Sequence, residues 1–293
     1  MSIQVSVVVP VYNEELAIGE VIDSIGKTLA KAGVEHEIIV VDDGSTDSTS
    51  SILKKYAGKI ELISHPDNIG YGRSIKDGIM KARYPYVCMI DGDASYPVNR
   101  MPDLLSYLGT YDMVVGARTG ENYKGSLIKY PARILFLWLS EFASGRRIPD
   151  VNSGFRVFRK DAVKRHFNTL CAGFSFTTTI TLAMSIGGYF IKYVPIEYHR
   201  RKGQSKIRYI RDTMRSLQII VETILYYNPI KIFILLAGIL WFIALLGLMA
   251  YKIAGVEWAM ALAISAFLTS FIVFGLGLTT DLLRKVNMKE EGR

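Results

Sequence analysis

Residues 86–95 read YVCMIDGDAS. The run YVCMI suits a short strand buried on both faces, and the acidic residues Asp91 and Asp93 follow directly. In extended backbone, residues two apart point to the same side. The two carboxylates can therefore share one cation, and paired carboxylates favour a hard ion such as Mg2+ or Mn2+, whose shell a diphosphate can complete. A bare D-x-D also occurs as a simple Asp-Gly turn. Its place at the end of a buried strand is what favours the metal.

Similar apolar runs lie on either side of this strand: VSVVV (5–9), EIIVV (37–41), IELIS (60–64) and MVVGA (113–117). Amphipathic stretches at 14–32, 46–57, 70–83 and 98–109 fall between them. This alternation predicts an α/β sheet of doubly wound, Rossmann-like type, with ligands beyond the carboxyl ends of its strands. The first strand runs into VPVYNEE (9–15) with no glycine between Val5 and Ile18, so the G-x-G-x-x-G fingerprint is missing and a dehydrogenase is disfavoured. Tyr12 and Glu14 could present a stacking or hydrogen-bonding face to a base, or Asn13 and Glu14 could simply start a helix. VVDDGSTD (40–47) ends the second strand. There Asp43 can reach a ribose or base edge, while Gly44 makes the turn and Ser45 or Thr46 caps the next helix. HPDNIGYGRSIKDG (65–78) lacks the G-K-[S/T] ending of a P-loop. Gly70 and Gly72 read as backbone geometry before a helix, with Asn68 near the ligand.

The chain has 293 residues, enough for one good-sized domain and a small appendix. Half its residues are hydrophobic and its net charge is +8. Such a charge suits nucleic acid, an anionic membrane surface or phosphorylated substrates. Two uncharged stretches, Ile232–Tyr251 and Trp258–Thr280, are each long enough to cross a bilayer, and they shift the reading from nucleic acid to membrane. Arg208, Arg211, Arg215 and Lys231 precede the first stretch, and Arg284, Lys285 and Lys289 follow the second. The positive-inside rule then predicts an integral membrane hairpin with both termini and the catalytic part cytoplasmic, in keeping with the lack of a signal-peptide pattern. Residues 124–147 are apolar around most of a helix and read as partly interfacial. The spacing of Ile207, Ile210, Met214, Leu217, Val221 and Ile224 predicts an amphipathic interfacial helix with a basic face. The expected organisation is a catalytic domain over 1–206, the interfacial helix over 207–228, the hairpin over 229–285 and a tail over 286–293. Two cysteines make no disulfide framework. NSGFR (152–156) and HRRKGQSK (199–206) place cations beside the membrane half, as a solvated face or as a site for anionic headgroups or one lipid phosphate.

Taken in order, VVPVYNE, VVDDGSTD, NIGYG, DGD, GAR, NSGFR, RRKGQSK and the closing hairpin resemble the polyprenyl-phosphate glycosyltransferases of glycosyltransferase family 2. That group contains dolichyl-phosphate mannose synthase and the bactoprenyl-phosphate glucosyltransferases, and the resemblance covers nearly the whole chain. It implies a GT-A catalytic domain that moves a hexose from a nucleotide-sugar to polyprenyl or dolichyl phosphate with inversion. The two-span hairpin is more similar to the enzymes using UDP-hexoses than to those using GDP-mannose. By resemblance, Pro10, Tyr12, Glu14, Val41 and Asp43 hold the nucleotide, with Asn68 beside it. Asp91 and Asp93 bind the metal and donor diphosphate, and Ser95 stands in the metal set where the family commonly has Gln. Arg118 and Arg133 face the phosphates, and Ser153 lies near the reaction centre. Arg200 and Lys206, with Arg133, hold the acceptor phosphate. The run FSFTTTIT departs from the acidic residue many members carry there. The resemblance also suggests a homo-tetramer. A processive polysaccharide synthase would add a Q-x-x-R-W motif and more spans, neither of which this sequence shows. The other alternative is a non-catalytic nucleotide-sugar-binding membrane protein. No histidine base is needed, because a phosphate monoester with its second pKa near ~6 is already ionised at pH 7.

Overall fold

The computed structural model describes residues 3–120, 130–173, 175–202 and 209–291. The chain divides into two compact units, Met1–Ile220 and Val221–Arg293. The first is built on seven strands: β1 Gln4–Val11, β2 Glu35–Asp42, β3 Glu61–Ser64, β4 Tyr86–Met89, β5 Met113–Thr119, β6 Arg156–Arg159 and β7 Ile191–Glu197. They form one sheet in the order β3-β2-β1-β4-β6-β5-β7. All five predicted runs are strands, and the pairings among β1 to β4 are parallel. The sheet is nonetheless mixed, because β6 runs antiparallel to both β4 and β5. Register explains where a site can form. Val8 pairs with Met89 and Val11 with Asp42, so the segments after β1, β2 and β4 all leave the sheet at the same end.

The helices of this unit are α1 Ile18–Lys31, α2 Thr49–Lys54, α3 Tyr71–Lys81, α4 Met101–Leu105, α5 Tyr130–Ser144, α6 Lys160–Lys164 and α7 Phe176–Ile186. Ile18, Val21, Ile22, Ile25 and Leu29 recur at helical spacing on α1 and are buried with the valines of β1. Burying each such side chain stabilises the fold by ~1.5–3 kcal/mol. On α3, Gly78 is required: a Cβ there would lie 2.3 Å from Val8, so only glycine lets the helix press onto β1. The helix predicted over 98–109 is shorter, a 3-10 turn at Val98–Arg100 followed by α4.

α8 spans Tyr209–Tyr227, as the periodicity predicts, with Ile220 and Ile224 buried and Met214 exposed. Arg208 and the side chains of Arg211, Asp212 and Arg215, which would form its basic face, lie outside the described residues.

In the second unit, α9 Ile230–Ala254 and α10 Glu257–Glu291 pack side by side. Gly255, in the left-handed region at φ 66°, ends α9 and turns the chain. Close approach is set by small residues, since a Cβ on Gly247 would meet the Ala259 carbonyl at 2.8 Å and one on Gly277 would meet Phe233 at 2.5 Å. The outer faces carry exposed Ile234, Trp241, Leu245 and Ile272. Ile230–Ala254 and Glu257–Val286 are long and apolar enough to cross a membrane, with mean hydropathy 2.8 and 2.2.

Candidate active site

The loops after β1 and β2 are joined by side chains. Asn13 adopts φ 53°, a conformation asparagine tolerates better than most residues. Its Oδ1 accepts the Thr46 N–H at 2.7 Å, and its own N–H donates to Ser45 Oγ at 2.9 Å. The Glu14 N–H donates to Thr49 Oγ1 at 2.9 Å. Ser45 and Thr46 therefore do not cap α2, as the sequence suggested; they tie one loop to the other, and α2 starts later, at Thr49.

The two aspartates after β2 face different ways. Asp42 Oδ1 accepts the Ser45 N–H at 3.1 Å, and its Oδ2 accepts the Ser50 hydroxyl at 2.5 Å. Asp43 pairs with His65 Nδ1 at 2.8 Å and accepts the N–H groups of Ile69 and Gly70 at 3.2 and 2.9 Å. Gly44, at φ 71°, brings the turn against the backbone of Asp67 and Asn68, where a Cβ would clash at 2.6–2.9 Å. The result is a cleft of about 330 Å³ whose lining includes Tyr12, Asp42, Ser45, His65 and Asn68. Tyr12 and Asn68, both expected at a nucleotide, line this one cleft. Asp42 lines the cleft, while the Asp43 carboxylate binds the loop that forms its wall. Pro10 and Val41 are buried strand residues of β1 and β2 and are not among its lining.

Beyond β4, Asp91 accepts a hydrogen bond from the Tyr71 hydroxyl at 2.8 Å. Gly154 leaves room for it, since a Cβ there would lie 2.5–2.7 Å from the carboxylate. Asp93 Oδ1 accepts both the N–H and the hydroxyl of Ser95, at 3.0 and 2.5 Å, around Ala94 at φ 59°. Burial first, and then the Asp93 charge, push the Asp91 carboxyl up to about 7. Two neighbouring carboxylates that offer only oxygen, one of them raised by burial and the charge of the other, fit a divalent hard cation. Among the described residues no group of three or more His, Cys, Asp or Glu gathers here, so the other ligand positions would fall to donor oxygens and water. Ser95, placed in the metal set by resemblance, has its hydroxyl on Asp93 and orients that carboxylate.

Arg118 is held by an aspartate the sequence did not single out. Its guanidinium forks onto Asp150 at 2.8 and 2.9 Å and stacks over the Tyr198 ring at 5.3 Å. Ser153 is fully buried and donates to the Gly116 carbonyl at 2.6 Å. The arginine of NSGFR does not lie at a membrane face. Arg156 is fully buried and donates to the Ser153 carbonyl, to Thr181 Oγ1 at 2.9 Å and to the Thr177 carbonyl at 3.3 Å. Burial draws its pKa down. The threonine run of α7 is its counterpart: Thr177, Thr178, Thr179 and Thr181 are all buried, and Thr178 donates to Asn152 Oδ1 at 2.6 Å.

The segment Tyr198–Lys202 lies across the Asp93 loop. The His199 N–H donates to the Ser95 carbonyl at 2.9 Å, and the Lys202 N–H donates to the Asp93 carbonyl at 3.1 Å. Arg201 Nη2 pairs with Glu14 Oε1 at 2.8 Å, and its Nε lies 3.6 Å from Asp93 Oδ2. Arg200 is exposed. Of these two neighbouring arginines, then, it is Arg201 that reaches the acidic site. Lys206 and the side chain of Arg133 lie outside the described residues. Arg201 and Asp150 were not singled out from sequence: each meets its partner from a distant segment, and Asp150 is an isolated acid in RRIPDVN.

Comparison with known proteins adds to this geometry. The family model described as Glycosyl transferase family 2 matches residues 6–167. A dolichyl-phosphate hexose transferase of Haloferax volcanii is 31% identical over 205 residues, covering 69% of this chain and 86% of that protein. An undecaprenyl-phosphate 4-deoxy-4-formamido-L-arabinose transferase of Pectobacterium atrosepticum is 29% identical, covering 92% of this chain and 84% of that protein. A low-salt glycan biosynthesis hexosyltransferase of Haloferax volcanii is 29% identical over 73% of this chain, which spans about half (52%) of that longer relative. Among solved structures, glucosyl-3-phosphoglycerate synthase from Mycobacterium tuberculosis, bound to Mn2+, UDP-glucose and phosphoglyceric acid, superposes with a TM-score of 0.60. That match has 19% identity and covers 75% of this chain and 79% of that one.

Proposed function

The chain belongs to glycosyl transferase family 2, and from that premise we propose that it transfers a hexose from a nucleotide-sugar to a polyprenyl phosphate, with inversion at the anomeric carbon. The observation that carries this reading is the Asp91–Asp93 pair, in which burial and the second charge raise the pKa of the first, set at the same sheet end as the cleft beside Tyr12. Relatives named for dolichyl-phosphate and undecaprenyl-phosphate transfer support the acceptor class. The two-span hairpin favours UDP-hexose over GDP-mannose as donor.

In this reading the nucleotide occupies the cleft against Tyr12, Asn68 and Asp42, with Glu14 at its rim. Asp43 and His65 keep the wall in place. Asp91 and Asp93 hold Mg2+ or Mn2+, with Ser95 fixing Asp93. The bound ion supplies positive charge for the departing diphosphate. Arg118, oriented by Asp150, adds to the electrostatic stabilisation of the phosphates. The acceptor phosphate is already ionised near neutral pH, so it attacks the anomeric carbon directly as the bond to the diphosphate breaks. Ser153 sets the loop beside Asp91 from within. Arg133, Arg200 and Lys206 bind the lipid phosphate, and α9 and α10 anchor the chain in the membrane with both termini cytoplasmic.

The test is direct. Membranes holding the full chain are incubated with a panel of UDP-hexoses and GDP-mannose plus undecaprenyl or dolichyl phosphate, and the lipid is weighed by mass spectrometry. A hexosyl-phosphate lipid from at least one donor is expected; no product from any donor contradicts the reading.

A further inference from the structure

A cation of the protein already lies beside Asp93. Arg201 Nε is buried, makes no hydrogen bond, and lies 3.6 Å from Asp93 Oδ2, too long for a bond but close for a charge. The guanidinium is kept there from two sides. Its Nη2 is bonded to Glu14 at 2.8 Å. Its backbone is fixed by the His199 and Lys202 N–H groups on the carbonyls of Ser95 and Asp93, and Lys202 Nζ pairs with Glu20. Asp91, by contrast, has a neutral donor in Tyr71.

We infer that Arg201 is a built-in counter-cation that competes with the divalent metal for Asp93. The inference rests on the metal reading of Asp91 and Asp93 made above. Two cations cannot share one carboxylate edge without strong repulsion in a site this buried. A metal drawing on Asp93 therefore displaces the guanidinium, which remains tethered through Glu14.

The experiment measures metal affinity, with no donor and no turnover. Purified full-length protein in detergent is titrated with Mn2+, and free ion is read by electron paramagnetic resonance. Removing the competitor in Arg201→Gln should lower the Mn2+ Kd by at least about tenfold, while Arg201→Lys, which keeps the charge, should stay near wild type. Damage to the fold would weaken binding, so tightening is not an outcome a structural role can mimic. Should Arg201→Gln fail to fold, Arg201→Met carries the same expectation. Asp93→Asn tests the underlying reading and should lose Mn2+ binding. Unchanged or weaker binding by Arg201→Gln, or equal tightening by Arg201→Lys, overturns the competition while Asp93→Asn still loses the ion. Wild-type Mn2+ binding by Asp93→Asn overturns the metal reading itself.

Discussion

Two acidic pairs sit at nearby strand ends, Asp42–Asp43 after β2 and Asp91–Asp93 after β4, and the protein surrounds them differently. Asp42 and Asp43 accept hydrogen bonds from Ser45, Ser50, Ile69 and Gly70, and His65 pairs with Asp43. Asp91 has Tyr71, and Asp93 has Ser95 with an arginine just beyond bonding distance. A carboxylate whose lone pairs are filled by its own chain builds structure. Asp91, with Tyr71 as its hydrogen-bond donor and its pKa raised by burial and the Asp93 charge, is the carboxylate available to an external cation. The first pair shapes the cleft, and the second is the proposed reacting end of the site.

The comparison breaks most sharply under substitution. Asp93→Asn should cut sugar transfer at least ~100-fold, with Tm shifting by no more than about 2 °C. Asp43→Ala should do the reverse at first order. It strands the Ile69 and Gly70 N–H groups and should cost about 2–3 kcal/mol of stability, with donor KM rising as the cleft wall loosens. Thermal melts and initial rates on both variants check this. Equal Tm losses in the two would erase the distinction. Arg156→Met extends the structural side. It removes the donors to Ser153, Thr177 and Thr181 and should destabilise the domain by about 2–4 kcal/mol, measured by denaturant unfolding.

Smaller effects sharpen the functional side. Arg200→Ala and Lys206→Ala should each lower kcat/KM for lipid phosphate by at least ~10-fold, with Tm little changed and Lys289→Ala as the neutral control. The pH dependence of stability should be smaller again. Asp91 has a folded value of about 7 against an ordinary 3.8. The folded state therefore holds the proton more tightly, and this group's contribution to metal-free stability is full below pH ~4 and lost as pH rises through ~7. Saturating Mn2+ should flatten that decline, because the ion compensates the carboxylate. Tm measured from pH 4.5 to 8 with chelator and with Mn2+ checks it; parallel curves would mean that Asp91 is not a ligand.

Much of the fold was legible because parallel strands buried on both faces are continuous apolar runs, and the five such runs are β1 to β5. β6 opens on a buried arginine and spans four residues, so RVFR carried no strand signal. α7 is rich in β-branched threonine and isoleucine and is buried nearly all round, so no amphipathic period marks it. In the site, Asp91 and Asp93 were singled out as an acidic pair behind an apolar run, but β4 ends at Met89 and the two stand in the turn beyond it rather than in extended backbone. Asp150 and Arg201 were not, because their roles come from the pairing of distant segments. In FSFTTTIT, which departs from the acidic residue many family members carry there, Thr181 and Thr178 are the partners of Arg156 and Asn152.

The central claim is that the Asp91–Asp93 pair works through a divalent ion. It is tested most directly by initial rates of lipid-linked sugar formation in wild-type protein before chelation, after chelation, and after Mn2+ is restored. The account predicts a loss of at least ~100-fold on chelation and recovery with Mn2+, and neither in Asp93→Asn. Full activity in the chelated wild type would contradict it.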